Sequence, residues 1–264
     1  MLKLLRSNLT RIIKSPTFWI CSAIYLIYGI IIAICGIVDQ ILGNELLYNV
    51  GFCGSPLTGY LILTFISIII GADFNNKTIH NKILIGHSKS KIYLSNVLAF
   101  SICAIILNLV FLCITIPTSR SIAVICLIDA IFNEKSYDLI AKIIFLTVLY
   151  NIVSVTFYVS LYTLIIMNIK NTVASIICGL ALNIVAIFFT WGFLACSNEE
   201  WFGWVYIIMY MYPIGLDALI ANGDIIMLGA ESPLFFIFTT ALLVILIAVT
   251  TKIGIAIFNK SNIK

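Results

Sequence analysis

Phe18-Trp19-Ile20-Cys21-Ser22-Ala23-Ile24-Tyr25-Leu26-Ile27-Tyr28-Gly29-Ile30-Ile31-Ile32-Ala33-Ile34-Cys35-Gly36-Ile37-Val38 carries no charge along its whole length, and its reading decides the fold. A bilayer core about 30 Å thick takes about 20 apolar residues of helix, and an uncharged run of 18 or more meets that length. Asn49 to Ala72, Ile92 to Ser119, Ile143 to Ile169, Asn171 to Asn198 and Ser232 to Thr251 do the same. These runs are continuously apolar, whereas the strands of a membrane barrel alternate lipid-facing and lumen-facing residues. Helices, which satisfy their own backbone hydrogen bonds, are expected instead. Composition agrees: 62% of the 264 residues are hydrophobic and 10% charged, which fits soluble globular, disordered and disulfide-stapled chains badly. The expectation is an all-α membrane protein, a single transmembrane domain over 1-264 with spans at 18-38, 51-72, 94-118, 143-168, 172-196 and 233-251.

Orientation follows from where Lys and Arg collect. Lys3, Arg6, Arg11 and Lys14 precede the first run, while the first loop holds only Asp39 and Glu45. Lys77, Lys82, Lys89 and Lys91 face one acid, Asp73, in the second loop; Lys170 marks the fourth connection; Lys252, Lys260 and Lys264 close the chain. With both termini in the cytoplasm, 12 of the 15 basic residues and one of the 11 acids lie on that side. An odd number of spans would break the pattern. Trp201 to Leu216 is uncharged and borderline in length, but Trp201, Trp204, Tyr206, Tyr210 and Tyr212 are interfacial anchors and Pro213 interrupts it. It is expected as an outer re-entrant or interfacial segment between spans five and six.

Residues 1-15 read as an amphipathic elbow helix on the membrane surface, with Leu2, Leu5, Leu9, Ile12 and Ile13 on one face, Lys3, Ser7, Arg11 and Lys14 opposite, and Leu4 off the apolar face. Ser15-Pro16 then supplies a cap and a first-turn proline for span one. That span is longer than the apolar core of a signal peptide and is expected to be retained. Cys21, Cys35, Cys103, Cys113 and Cys178 fall inside apolar runs without CxxC spacing and read as small hydrophobes. Cys53 and Cys196, near outer ends of spans, are the one pair for which a disulfide is conceivable.

The second loop is the most informative: Gly71-Ala72-Asp73-Phe74-Asn75-Asn76-Lys77-Thr78-Ile79-His80-Asn81-Lys82-Ile83-Leu84-Ile85-Gly86-His87-Ser88-Lys89-Ser90-Lys91-Ile92-Tyr93. Ile79 and Ile83 share a helix face and Gly86 is a natural C-cap, so residues 74-86 read as a short amphipathic helix able to dock onto a soluble partner. Gly71-x-x-Phe74-x-x-x-Thr78-Ile79-x-Asn81-Lys82, followed by Gly86-x-x-Lys89 and Ile92-Tyr93, resembles the permease subunits of ABC transporters of the type-2 exporter family. The resemblance covers about twenty residues in motif and the whole chain in plan. Ala72 stands where members commonly have a charge, and His87 where proline is frequent. It implies that 74-86 is the coupling helix, with Phe74, Thr78, Ile79, Asn81, Lys82 and Ile83 at its contact with a cytoplasmic ATPase. It also implies a second permease copy or a homologous permease, and a path lined by spans two and five, where Thr64, Ser67, Asn183 and Thr190 are the polar candidates.

No cofactor or catalytic residue is expected of the chain itself. Gly71 to Thr78 misses a P-loop by one residue, Asn76 standing for glycine, and follows an apolar helix rather than a strand. The two histidines, His80 and His87, make no HExxH helix, and all eleven acids lie in loops or at span ends, so ion relays lack their usual groups. Thr64, Ser67, Asn108, Asn151, Ser154, Ser175, Asn183 and Thr190 are polar within the spans, and Ser175 with Gly179 forms a small-xxx-small packing face. The net charge of +4 reflects a surface facing anionic lipid rather than nucleic acid. The expected function is the permease of an ATP-driven exporter of a small molecule, peptide or lipid in a cell membrane, by resemblance the bacterial cytoplasmic one. The alternative is a non-transporting membrane scaffold or assembly factor.

Overall fold

The computed structural model describes residues 1–42, 56–115, 135–196 and 233–261. Among them are eight helices and no strand: α1 (Leu2–Lys14), α2 (Pro16–Leu42), α3 (Pro56–Asn75), α4 (Thr78–Leu84), α5 (Lys89–Thr115), α6 (Lys135–Ile169), α7 (Thr172–Cys196) and α8 (Pro233–Lys260). Lys89–Ile114, Val148–Ile169 and Thr240–Lys260 are each long and apolar enough to cross a membrane. Two bent pairs raise the number to as many as five: Leu2–Lys14 with Pro16–Ile31, at 64°, and Gly59–Asn75 with Thr78–Leu84, at 60°. The regular structure of the described residues is all helical, and these apolar helices mark a membrane protein. The Trp201 to Leu216 segment and Cys53 lie outside the described residues, as does the side chain of Cys196.

Helix boundaries have local causes. Pro16 opens α2, where its missing N–H costs nothing, and the Ser15 hydroxyl accepts the Phe18 amide at 3.2 Å. Gly86, at φ 96°, takes the left-handed turn after α4 and donates to the Ile83 carbonyl at 2.9 Å. Lys77 and Lys170 are non-glycine residues with positive φ, 55° and 59°. Lys77 separates α3 from α4, so Phe74 and Asn75 complete α3 and the single helix expected over 74-86 is confined to Thr78–Leu84. The expected spans differ in extent too: α6 begins at Lys135 rather than 143, and α8 carries Lys252 within a helix that continues to Lys260.

α6 is the hub, packing against α3, α5, α7 and α8, while α5 also meets α1 and α2. Tyr158, Val159, Tyr162, Ile166 and Met167 of α6 are buried there with Leu63, Ile66 and Ile70 of α3 and Phe100 of α5. Large apolar side chains point the other way: Ile20, Ile24, Ile27 and Ile31 of α2, Val173 and Ile177 of α7, and Val244 and Ile245 of α8 are exposed. Such a surface is costly in water and ordinary in lipid. Glycines set the closest crossings. A Cβ at Gly179 of α7 would lie 2.3 Å from Leu63 of α3, and one at Gly254 of α8 would lie 2.0 Å from the Tyr93 hydroxyl of α5.

Candidate functional site

A connected set of polar side chains lies where α1, α3, α4 and α5 meet. Asn8 of α1, 1% exposed, donates its side-chain amide to Ser95 Oγ at 3.0 Å and to Asn96 Oδ1 at 2.8 Å, both on α5. Its own Oδ1 accepts from Lys82 Nζ of α4 at 2.8 Å. One turn on from Asn8, Arg11 is ion-paired with Asp73 near the end of α3. Four helices are thus tied by side chains from a single elbow helix. Most buried polar groups are partnered, and the bonds made by Asn8 tie α1, α4 and α5 in one specific arrangement. Burial pushes the Lys82 ammonium down to about 8, with repulsion from Arg11 acting the same way and attraction to Asp73 opposing it.

This geometry corrects the expected faces. In α1 the side turned to the protein is Leu4, Asn8 and Ile12, whereas Leu2 and Ile13 are exposed. Periodicity marks an apolar face, and here that face is divided between protein contact and an outward strip. In α4, Ile79 is 1% exposed and belongs to the core, and Ile83 packs against the same core, so neither is offered outward as a docking residue. Lys82 is turned inward to Asn8 rather than lying at a rim. Phe74 is half-buried against the core and Thr78 is half-buried at the start of α4, while Asn81 is exposed. The outward apolar residues of this segment are Leu84 and Ile85, 71% and 77% exposed.

The pathway candidates lie on α3 and α7. Thr64 of α3 donates to the Leu61 carbonyl at 3.0 Å and lies beside the Cys21 thiol of α2. Ser67 is fully buried, and its hydroxyl has no partner among the described residues. Asn183 of α7 accepts the Tyr162 hydroxyl at 2.7 Å, next to Gly59 of α3. Thr190 lies in α7, with its side chain outside the described residues. Polar residues of the other spans are paired similarly: Tyr25 donates to Asn108 Oδ1 at 2.9 Å, and the Ser160 and Thr250 hydroxyls are 3.0 Å apart. These are the interhelical bonds expected of polar groups in lipid. Sequence reading missed Asn8, Ser95, Asn96 and the Arg11–Asp73 pair; an asparagine interrupting the apolar side of α1 was the available signal. No protein-family model matches the chain, and no curated protein matches it either.

Proposed function

We propose that the chain is the permease subunit of an ATP-driven ABC exporter in a cell membrane, by resemblance the bacterial cytoplasmic membrane. In this reading α2, α3, α5, α6, α7 and α8 are the six spans and both termini are cytoplasmic. A second permease copy or a homologous permease completes the path for a small molecule, peptide or lipid, and a cytoplasmic ATPase supplies the energy. Support comes from the positive charge of the connections at Lys77 to Lys91 and Lys170, and from the motif running from Gly71 to Tyr93.

The observation that carries the reading is α4: a seven-residue helix, bent 60° from α3, rooted by Ile79 and ending in exposed Leu84 and Ile85. An apolar tip on a firmly seated short helix suits insertion into a soluble partner. Closure of the ATPase would then push α4, and α4 would carry the push into α3 and α5.

Changing Leu84→Asp together with Ile85→Asp tests this, since carboxylates at such a contact would have to be desolvated. ATPase copurification and substrate-stimulated ATP turnover are expected to be lost at matched expression. Neither side chain is needed by the chain's own core, so insertion is expected to survive. Unchanged copurification and turnover would refute the docking role and leave the membrane scaffold as the better reading.

A further inference from the structure

Two faces of α1 remain once its protein contacts are removed. Lys3, Arg6 and Lys14 are exposed on one, and the helix contains no acidic residue. On the other, Leu2 and Ile13 are 81% and 47% exposed. They continue into Trp19, itself 62% exposed, whose indole N–H donates to the Ile13 carbonyl at 2.9 Å across the bend. A basic strip beside an apolar strip, with an exposed tryptophan at the root of an apolar helix, matches an interface rich in anionic phospholipid.

The third face holds Asn8, whose side-chain amide bonds three partners on two other helices. Its amide hydrogens go to Ser95 and Asn96 of α5, and its carbonyl oxygen accepts Lys82 of α4. Seven residues are too few for a helix to hold itself, so the placement of α4 depends on tertiary anchors. Ile79 and Ile83 anchor it to the core, and Lys82 anchors it to Asn8. A displacement of α1 therefore moves the acceptor on which α4 rests.

We propose that α1 binds anionic phospholipid headgroups through Lys3, Arg6 and Lys14, and that Asn8 passes this engagement to α4 through Lys82. Headgroup binding holds α1 in the membrane plane, keeps the Asn8 carbonyl under Lys82 and so steadies α4. In neutral lipid α1 rides free of the surface more often, and α4 loosens with it.

The full chain in nanodiscs of phosphatidylcholine, with and without phosphatidylglycerol, provides the test, read as hydrogen–deuterium exchange of the amides of residues 78–85. Exchange is expected to slow in the anionic bilayer by about fivefold for each basic residue engaged. Replacing the three exposed cations, Lys3→Gln, Arg6→Gln and Lys14→Gln, touches none of the protein contacts and is expected to abolish the difference. Lys82→Met and, separately, Asn8→Leu are expected to abolish the response of α4 while exchange in α1 still slows in anionic lipid. Equal exchange of wild type in the two bilayers would overturn the proposal. So would a lipid response that survives the triple change, because the lysines of α4 and α5 would then be acting directly. A response that survives both Lys82→Met and Asn8→Leu would overturn the route through Asn8.

Discussion

Two ways of holding helices together stand side by side in this protein. At the α1, α3, α4 and α5 junction the contact is a chain of hydrogen bonds and one ion pair, Lys82 to Asn8 to Ser95 and Asn96, with Arg11 on Asp73. At the crossings of α3 with α7 and of α5 with α8 the closest contact is one of shape, Leu63 over Gly179 and Tyr93 over Gly254, each with no room for a Cβ, while Lys89 and Ser90 of α5 bond Asn259 only at the far end of α8. Hydrogen bonds can lengthen, exchange partners or change protonation while the helices stay in register. A close crossing has one workable geometry. The first kind suits a joint that must shift, and the second a frame that must not.

The comparison breaks most readily at the frame. Gly179→Val puts a branched side chain where even a Cβ meets Leu63, a fully buried residue, and overpacking of that kind costs about 3 kcal/mol. Thermal unfolding in mild detergent is expected to show a clearly lowered midpoint; a midpoint close to wild type would mean that the crossing yields. Arg11→Ala is expected to act less severely, at about 2 kcal/mol, because Asp73 is left buried while Arg11 is itself part-exposed. Adding Asp73→Asn to Arg11→Ala removes the stranded carboxylate, so the double variant is expected to recover most of the loss. Purely additive costs would show that the pair contributes nothing as a pair.

A pH dependence sharpens the joint itself. Lys82 has its folded pKa lowered to about 8 from an ordinary 10.5. Below about 8 both folded and unfolded chains hold the proton, and the penalty for a half-buried charge is constant. Between about 8 and 10.5 the folded chain sheds the proton while the unfolded chain retains it, so stability rises with pH across that window. Wild type minus Lys82→Met, compared in unfolding midpoints from neutral to alkaline pH, is expected to show this rise. A flat difference would mean that the ammonium is solvated as freely in the folded chain as in the unfolded one.

The helices themselves were readable because an uncharged run long enough to span has one satisfactory backbone, and Ser15-Pro16 and Gly86 mark ends by local chemistry that operates in any context. Side-chain direction was less so. Leu2 and Ile12 both fall within the apolar face of a helical wheel, yet one is exposed and the other is in the core, because lipid and protein interior accept the same residues. Ile79 and Ile83 were correctly paired on one face, but amphipathicity alone does not say whether that face meets a partner or the chain's own helices. The inward turn of Lys82 depends on Asn8, which is 74 positions away in sequence and so invisible to local pattern.

Lys77 and Lys170 hold the left-handed backbone at the two breaks that follow α3 and α6. Glycine would adopt that conformation at no steric cost, and an L-residue gives up about 1 kcal/mol there. In the proposed orientation both breaks stay on the side where the chain is synthesised. A glycine would ease the finished fold yet say nothing to the insertion machinery, which reads positive charge while the flanking helices are being threaded. In that orientation the strain at these two lysines is the cost of a topological signal, each marking a segment that stays behind as its neighbours cross.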